Sequence, residues 1–325
     1  MDIRRVFSHT IPMGEETRGV QMSVIQAKAT GLLRRIRRLP YRQSIAYWMI
    51  APFFLLFTIF VLLPILFNII LSFFNYNLRS LQYVGLKNYT QIFQDYLFAA
   101  AMKNTAVYVF WTVSITMVLS FSLALMVNRA TRTMRVMRSL FYIPNVVSMV
   151  AVATVWQFMY NPYFGIFNVI LKLFGLPAQT WLLDTKMAMG CIIIMTIWKS
   201  AGYNMVLFLA GLQGVPQELY ESAAMDGAHG LQMTWHITLP CVAPVTFFVF
   251  VTNCISSFSV FDQVQVLTRG GPMNATTTIV HQIYNRAFSE FRLGYAAAMA
   301  IVLAAIIFTL TALSFRMANK SADYE

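Results

Sequence analysis

The stretch AYWMIAPFFLLFTIFVLLPILFNIILSFF, residues 46–74, holds 29 residues and carries no charged side chain. A helix needs about 20 mostly apolar residues to cross the hydrocarbon core of a membrane. This stretch is too long for the apolar region of a signal peptide, and it follows a polar and basic segment without a clear cleavage site. Its Pro52 and Pro64 predict kinks. The sequence therefore predicts a membrane-spanning helix here.

Five further stretches have the same character, so the chain is predicted to be an all-α polytopic membrane protein with six transmembrane helices. They cover residues 105–127, 139–160, 187–212, 241–261 and 294–315. The composition agrees, because 58% of the 325 residues are hydrophobic and only 11% are charged, against about 25% in a soluble domain. The net charge of +12 does not indicate nucleic-acid binding, because the basic residues lie in short flanks between apolar stretches.

The distribution of basic residues predicts the orientation of the chain in the bilayer. Fifteen Lys and Arg lie in the segment before the first span, in the loop 128–138 and after the last span, while eight lie in the opposite loops. Basic residues accumulate on the cytoplasmic side, so both termini are expected there. The predicted organisation is a basic cytoplasmic tail (1–45), a transmembrane domain (46–315) with a cytoplasmic loop (213–240), and a C-terminal tail (316–325).

The cytoplasmic loop 213–240 has no Lys or Arg, which sets it apart from the other loops on that side. Pro216 and the acidic residues after it are typical of a helix start, and Gly227 is typical of a helix end. A second helix is predicted from His229 to Ile237, running into Leu239-Pro240, where the proline stops it and the next span begins. The loop is thus predicted to form a helix, a tight turn and a helix.

One face of the first loop helix carries small residues. Tyr220, Ala223, Ala224 and Gly227 follow the three-and-four spacing of a single helix face. A solvated helix would carry Lys and Glu there, so the small side chains indicate that another protein surface covers the face. Packing against the chain's own helix bundle is the alternative.

The loop carries a recognisable spaced motif. Glu221-Ser222-Ala223, three residues, Gly227, nine residues and Ile237-Thr238-Leu239-Pro240 closely resemble the E-A-A-x3-G-x9-I-x-L-P loop of binding-protein-dependent ABC importer permeases. Only Ser222 departs from the pattern, and it replaces one small residue by another. The likeness extends from about residue 52 to 315 and is closest to the carbohydrate-type permeases of maltose, multiple-sugar and glycerol-3-phosphate uptake. Its other matching stretches are Asn104-Thr105, residues 137–148, Trp198-Lys199-Ser200, residues 209–216, residues 261–272 and Leu293-Gly294-Tyr295.

The resemblance implies a type I ABC importer permease fold and a set of partners. These are a second homologous permease subunit, a cytoplasmic ABC ATPase dimer and an extracytoplasmic solute-binding protein, in a bacterial or archaeal cell membrane. It also implies that the loop couples this chain to the ATPase. The residues expected to do so are Glu221, Ser222, Ala223, Ala224, Asp226, Gly227, Leu239 and Pro240.

The chain is expected to hold no cofactor, because a phosphate-binding P-loop needs Gly-Lys-Ser or Gly-Lys-Thr and no lysine here follows a glycine. ATP is therefore expected to bind to the partner ATPase. The three cysteines are scattered singly, and the histidines lack further ligands at metal spacing, so no metal site is predicted. No grouping of nucleophile, base and orienting residue indicates an enzyme.

Polar residues inside the spans indicate where a solute passes. Lys199 lies near the centre of the fourth span, and a charge there is costly unless it faces a cavity. Thr196, Lys199, Ser200 and Tyr203 share one helical face, and Asn253 and Ser257 form a second polar stripe in the fifth span. These groups suit a sugar. Lys199 also suits a phosphorylated glycerol, and polar contacts between helices without any solute are the simpler alternative.

A different class of transporter has to be weighed against this prediction. A secondary carrier driven by protons or sodium needs acidic residues inside the membrane. Asp95, Asp184 and Glu290 lie in loops, and Asp262 lies only at a boundary of a span. The sequence therefore favours an ATP-driven importer.

Overall fold

The computed structural model of the chain describes residues 47–129 and 131–322, with side chains to Met317. The predicted N-terminal tail lies outside these residues. The chain divides into two compact units, Met1–Phe67 and Asn68–Glu325.

Helix α1 (Tyr47–Leu71) matches the first predicted span and ends within the second unit. A π-helical turn, Thr58–Leu62, precedes Pro64. Proline has no N–H to donate to the preceding turn, and the π-helical turn lies where that bond is missing.

The second unit contains one small sheet and a series of helices. The strands are β1 (Phe74–Tyr76) and β2 (Leu81–Tyr83), which pair antiparallel with Asn75 opposite Gln82. The helices are α2 (Lys87–Gln94), α3 (Tyr96–Val127), α4 (Arg132–Val146), α5 (Met149–Met159), α6 (Ile166–Leu173), α7 (Ala188–Gln213), α8 (Gln217–Met225), α9 (Leu231–Cys241), α10 (Ala243–Phe258), α11 (Asp262–Leu267), α12 (Ile279–Tyr284) and α13 (Leu293–Ala322).

The all-α membrane fold is confirmed, with the hairpin as a small addition. Within the described residues four helices, α1, α3, α7 and α13, are long and apolar enough to cross a membrane. The number rises to six if the bent pairs α4–α5 and α9–α10 each form one span.

The third predicted span, residues 139–160, is not one straight helix. α4 and α5 meet at an angle of 95°. Val147 between them is extended, with φ −72° and ψ 142°, and the Ser148 hydroxyl accepts a hydrogen bond from the Ala151 N–H to cap α5. Apolar composition alone could not reveal this break, because the two helices taken together are long and apolar enough to read as one span.

Close contact between helices α3, α4 and α7 forms the centre of the second unit. A Cβ atom at Gly202 of α7 would overlap the carbonyl oxygen of Phe141 in α4, so only glycine permits this approach. The Ser120 hydroxyl of α3 donates to the Ala201 carbonyl of α7 over 3.0 Å. Small and hydroxyl side chains at such contacts are typical of helix packing in membranes.

Candidate functional site

The loop between α7 and α10 forms the predicted helix, turn and helix. Helix α8 has no buried residue, and Pro216 precedes its first turn. Gly227 has φ +84°, a left-handed conformation that side chains rarely adopt. The N–H of Ala228 bonds to the Ala223 carbonyl over 2.9 Å, and the N–H of Gly227 bonds to Ala224 over 3.1 Å. This pair of bonds is a Schellman motif, which ends α8 at a fixed angle.

The predicted coupling residues fall into two groups. Glu221 accepts a hydrogen bond from the Gln217 amide over 2.8 Å, and the Ser222 hydroxyl donates to the Glu218 carbonyl. Ala223 and Leu239 are half-buried within the chain. The exposed members of the set are Glu221, Ser222, Ala224, Asp226, Gly227 and Pro240. A solvent-facing surface is thus present at the turn, but it is narrower than the predicted small-residue face.

Tyr220 belongs to the inner side of that face. Its hydroxyl lies 3.1 Å from the Thr238 hydroxyl, and Thr238 is buried. This contact ties α8 to α9 within the chain. For Tyr220 it therefore agrees with the alternative prediction, in which the small-residue face packs against the chain's own helices. Thr238 was not singled out from the sequence; its position two residues before Pro240, inside the motif, was the available signal.

The prediction that Pro240 stops the second loop helix is wrong. α9 begins at Leu231 and continues through Pro240 to Cys241, and it then meets α10 at 72°. A π-helical turn, Thr234–Thr238, precedes the proline, which occupies the first turn of the following α-helical segment. The ring is tolerated there because the first turn of a helix needs no N–H from that residue.

Large apolar side chains of both loop helices are exposed. Met225 and Leu231 have exposed fractions of 89% and 77%, and Leu219 and Trp235 are also exposed. Four such side chains on one short loop are unusual for a surface that meets only water. The sequence interpretation concentrated on the small residues and missed them.

Lys199 lies where α4 ends rather than against a described cavity. Its side chain is 7% exposed, and its ammonium group donates to the carbonyls of Pro144, Asn145 and Val147 over 3.2, 3.2 and 2.8 Å. The last carbonyls of a helix have no intrahelical partner and carry partial negative charge. Lys199 therefore caps α4 and holds the α4–α5 break, a role that the sequence interpretation did not include.

A buried hydrogen-bond chain links α3, α7 and α11. The Tyr108 hydroxyl donates to the Thr196 hydroxyl over 3.1 Å and accepts from the Gln263 amide over 3.2 Å. All three side chains are buried. Thr196 was predicted, whereas Tyr108 and Gln263 were missed. Hydroxyl residues at a spacing of about four along α3, namely Tyr108, Thr112, Thr116 and Ser120, were the available signal.

Helices α7 and α10 meet through an amide pair, of which Asn253 was predicted and Asn204 was missed. Asn204 of α7 and Asn253 of α10 exchange hydrogen bonds over 3.2 and 2.9 Å. The Ser200 hydroxyl donates to the Thr196 carbonyl over 2.8 Å, and Ser257 is buried. Tyr203 is exposed and is the most accessible of the predicted path residues. The structure thus brings α7 and α10 together here, largely through contacts between helices.

At the other end of the second unit, Asn104 and Thr105 of α3 hold the loop after α11. The Asn104 amide donates to the carbonyls of Asn274 and Thr277 over 2.9 and 3.0 Å. The Thr105 hydroxyl accepts from the Ile279 N–H over 3.0 Å. Asn104-Thr105, which matches the permease pattern, therefore holds the segment that directly follows the matching stretch 261–272.

A charged cluster stabilises the same end. Asp95 bonds to Arg286 and to the Tyr295 hydroxyl, each over 2.8 Å, and the guanidinium of Arg292 lies over the Tyr295 ring. Burial raises the pKa of Asp95, but the bond from Tyr295, the N–H of Leu97 and the charge of Arg286 outweigh it, so its pKa lies below the ordinary value. The carboxylate therefore stays ionised and the cluster intact at neutral pH.

Two cavities are described in this part of the chain. One is apolar, has a volume of about 300 Å³ and lies between α3, α10 and α13, with Val113, Cys254 and Ile307 in its wall. The other is polar, has a volume of about 510 Å³ and lies between the ends of α5 and α11. None of the predicted path residues lines either cavity.

The geometry defines a multi-pass α-helical membrane protein with an exposed helical loop between α7 and α10. Residues 116–321 match the family described as "Binding-protein-dependent transport system inner membrane component". The chain belongs to this family and is a permease subunit of an ABC importer of the carbohydrate type. Which of its residues couple to an ATPase and which contact the solute stays a prediction.

Named relatives agree with this membership. The chain is 34% identical over 281 residues to the sn-glycerol-3-phosphate transport system permease protein UgpA of Brucella suis biovar 1 (strain 1330), covering 86% of this chain and 96% of that protein. It is 34% identical over 270 residues to the probable ABC transporter permease protein YurN of Bacillus subtilis (strain 168), covering 81% and 92%.

A solved structure has the same fold. A chain of a bacterial ABC transporter involved in the import of the acidic polysaccharide alginate aligns with a TM-score of 0.79 and 26% identity, covering 88% of this chain and 99% of that chain. The related complex with an alginate-bound periplasmic protein gives a TM-score of 0.78 at 26% identity, covering 86% and 96%.

Proposed function

We propose that this chain forms one half of the translocation pathway of an ATP-driven importer for a sugar or oligosaccharide delivered by an extracytoplasmic solute-binding protein. A second, homologous permease subunit supplies the other half. The chain itself neither catalyses a reaction nor binds ATP, which is hydrolysed by an ABC ATPase dimer on the cytoplasmic side.

The observation that carries the proposal is the α8 turn. The Schellman motif at Gly227 fixes the end of α8, and Tyr220 ties the helix to α9, so α8 and α9 can move as one body. Around the turn lie exposed small and apolar side chains, including Ala224 and Met225. Such a surface suits docking into an ATPase cleft, where closure of the ATPases would move the loop and switch the pathway between its two openings.

The proposed orientation places the α8 turn and both termini in the cytoplasm of a bacterial or archaeal cell. The excess of Lys and Arg on that side supports it. The polar cavity between α5 and α11 then lies at the outer mouth of the pathway, near the solute-binding protein.

The solute path is proposed to run along α7 and α10, where Ser200, Tyr203 and Asn253 offer hydroxyl and amide groups. Lys199 supports this surface by holding α4 and is not itself proposed as a solute contact. A phosphorylated polyol is the second candidate solute, because relatives such as UgpA are named as sn-glycerol-3-phosphate permeases.

The test is solute-stimulated ATP turnover by the purified complex with its solute-binding protein in proteoliposomes. We expect a sugar, oligosaccharide or polyol phosphate to raise turnover, and we expect solute uptake to require this chain, the second permease and the ATPase together. Transport by the isolated chain without an ATPase would contradict the proposal.

A further inference from the structure

The polar cavity at the proposed outer mouth has the size of a small-ligand site. Its volume of about 510 Å³ lies within the roughly 300–1,000 Å³ of typical ligand pockets. Its wall contains Gln157, Gln265, Val266, Leu267, Thr268 and Arg269. Unlike the apolar cavity between α3, α10 and α13, it offers a guanidinium, two amides and a hydroxyl to an occupant.

Arg269 is the cationic group of this cavity. It is exposed, and among the described residues its guanidinium forms no ion pair or hydrogen bond, although other arginines, such as Arg286, are paired. All five of its N–H donors are thus available to a ligand.

The backbone at Arg269 is also unusual. It has φ +52°, and its N–H bonds to the Val264 carbonyl over 2.8 Å to end α11. Glycine is the usual residue at such a helix end, since a side chain in the left-handed conformation is strained. Strained backbone of this kind clusters at binding sites, which supports a binding role for the Arg269 side chain beside its position in the cavity wall.

Gln265, in the wall of the same cavity, provides a second hydrogen-bond donor to a ligand. Gln265 uses its side-chain oxygen for a contact of 3.1 Å with the His281 ring, so its amide N–H groups remain available. Gln157 donates to the Val266 carbonyl over 3.2 Å, and the Thr268 hydroxyl lies 2.7 Å from that of Thr276. The cavity therefore presents uncommitted donors from Arg269 and Gln265, which favours a ligand that accepts hydrogen bonds.

Helix α11 joins this cavity to the buried hydrogen-bond chain that links α3, α7 and α11. It carries Gln265 at the cavity and Gln263 two residues earlier, whose amide bonds to Tyr108 and through it to Thr196. A ligand in the cavity is thus one short helix away from the proposed path along α7.

We propose that Arg269 and Gln265 bind an anionic oxygen group of the transported solute, a carboxylate or a phosphate monoester, at the outer mouth of the pathway. The inference rests on the proposed function and deepens it, because it makes the solute an acidic saccharide or a phosphorylated polyol. The planar guanidinium matches both groups, since it can donate two parallel hydrogen bonds to either.

The experiment measures ATP turnover of the complete complex with its solute-binding protein in proteoliposomes, at increasing concentrations of defined probes. The acidic probes are sn-glycerol-3-phosphate and an oligosaccharide of uronic acids, and the neutral probes are glycerol and maltotriose. Arg269→Gln is compared with Arg269→Lys, which keeps the charge. Arg79→Gln is the matched control, because Arg79 is an exposed arginine in the β1–β2 turn, outside the cavity.

We expect an acidic probe to stimulate the wild-type complex, and Arg269→Gln to raise the concentration for half-maximal stimulation at least about tenfold, the size of one lost charge-assisted hydrogen bond. Arg269→Lys should restore part of this loss, and Arg79→Gln should behave as wild type. Stimulation by neutral probes alone, or an unchanged response of Arg269→Gln to the acidic probe, would overturn the inference while leaving the importer function intact. Absence of stimulation by every probe in an assembled complex would overturn the proposed function and this inference with it.

Discussion

Replacing Gly227 by valine is expected to abolish solute-stimulated ATP turnover and transport while the protein still inserts into the membrane. Gly227 has φ +84°, and a side chain at that angle costs about 1–2 kcal/mol, more for a β-branched one. A Cβ atom there meets nothing of the chain within 4 Å. We therefore expect the substitution to change the angle at which α8 ends, and with it the fit of α8 to the ATPase. The packing of the helix bundle should stay unchanged.

Gly175→Val is the matched control for this variant. Gly175 has φ +69° and also has open space around its Cβ position, but it follows α6 in a loop on the proposed outer side of the membrane. Both variants carry the same kind of backbone strain, so only the docking contact differs between them. ATP turnover and uptake, normalised to the amount of membrane-inserted protein, provide the measurement. Equal activity of the two variants would argue against a docking role for the α8 turn.

Lys199→Met is expected to destabilise the break between α4 and α5. The change leaves the carbonyls of Pro144, Asn145 and Val147 without their shared donor. Hydrogen bonds from a charged group contribute about 1.5–3 kcal/mol each, while burying the ammonium group costs about 2.5–3.5 kcal/mol. The net loss for three such bonds is roughly 1–6 kcal/mol, which is large against the few kcal/mol by which a folded protein is stable.

Amide hydrogen exchange around Val147 and Ser148 provides the readout that separates capping from solute contact. We expect faster exchange there in Lys199→Met, less transporter in the membrane, and an unchanged solute concentration for half-maximal uptake by the remaining protein. Lys199→Arg, which keeps the charge and donors, should recover part of the protection. A change in solute preference with unaltered exchange would instead return Lys199 to the solute path.

The membrane fold could be predicted because apolar length is a direct physical requirement of a bilayer. Each predicted span overlaps a helix or a bent helix pair, and Gly227 ends α8 as its left-handed preference indicates. The bends could not be predicted in the same way, since they depend on tertiary contacts. Lys199 illustrates this, because it lies more than fifty residues along the chain from the carbonyls that it caps.

The site was harder to predict than the fold for the same reason. A polar residue within a span has to satisfy its hydrogen bonds somewhere, but periodicity does not say whether a solute or another helix provides the partner. For Thr196 the partner is Tyr108, and for Asn253 it is Asn204. Pro240 was misread because a π turn before it allows the helix to continue.

Chemical labelling of the α8 turn shows on which side of the membrane the turn lies and whether an ATPase covers it. Met225→Cys in a Cys241→Ser background places a single reactive thiol on the turn, since Met225 is 89% exposed and the other cysteines are buried or half-buried. We expect a membrane-impermeant maleimide to modify this thiol in inside-out vesicles but not in intact cells, and the assembled ATPase to protect it. Modification in intact cells would place the turn outside the cytoplasm, and labelling that does not change when the ATPase is present would rule out docking at this turn.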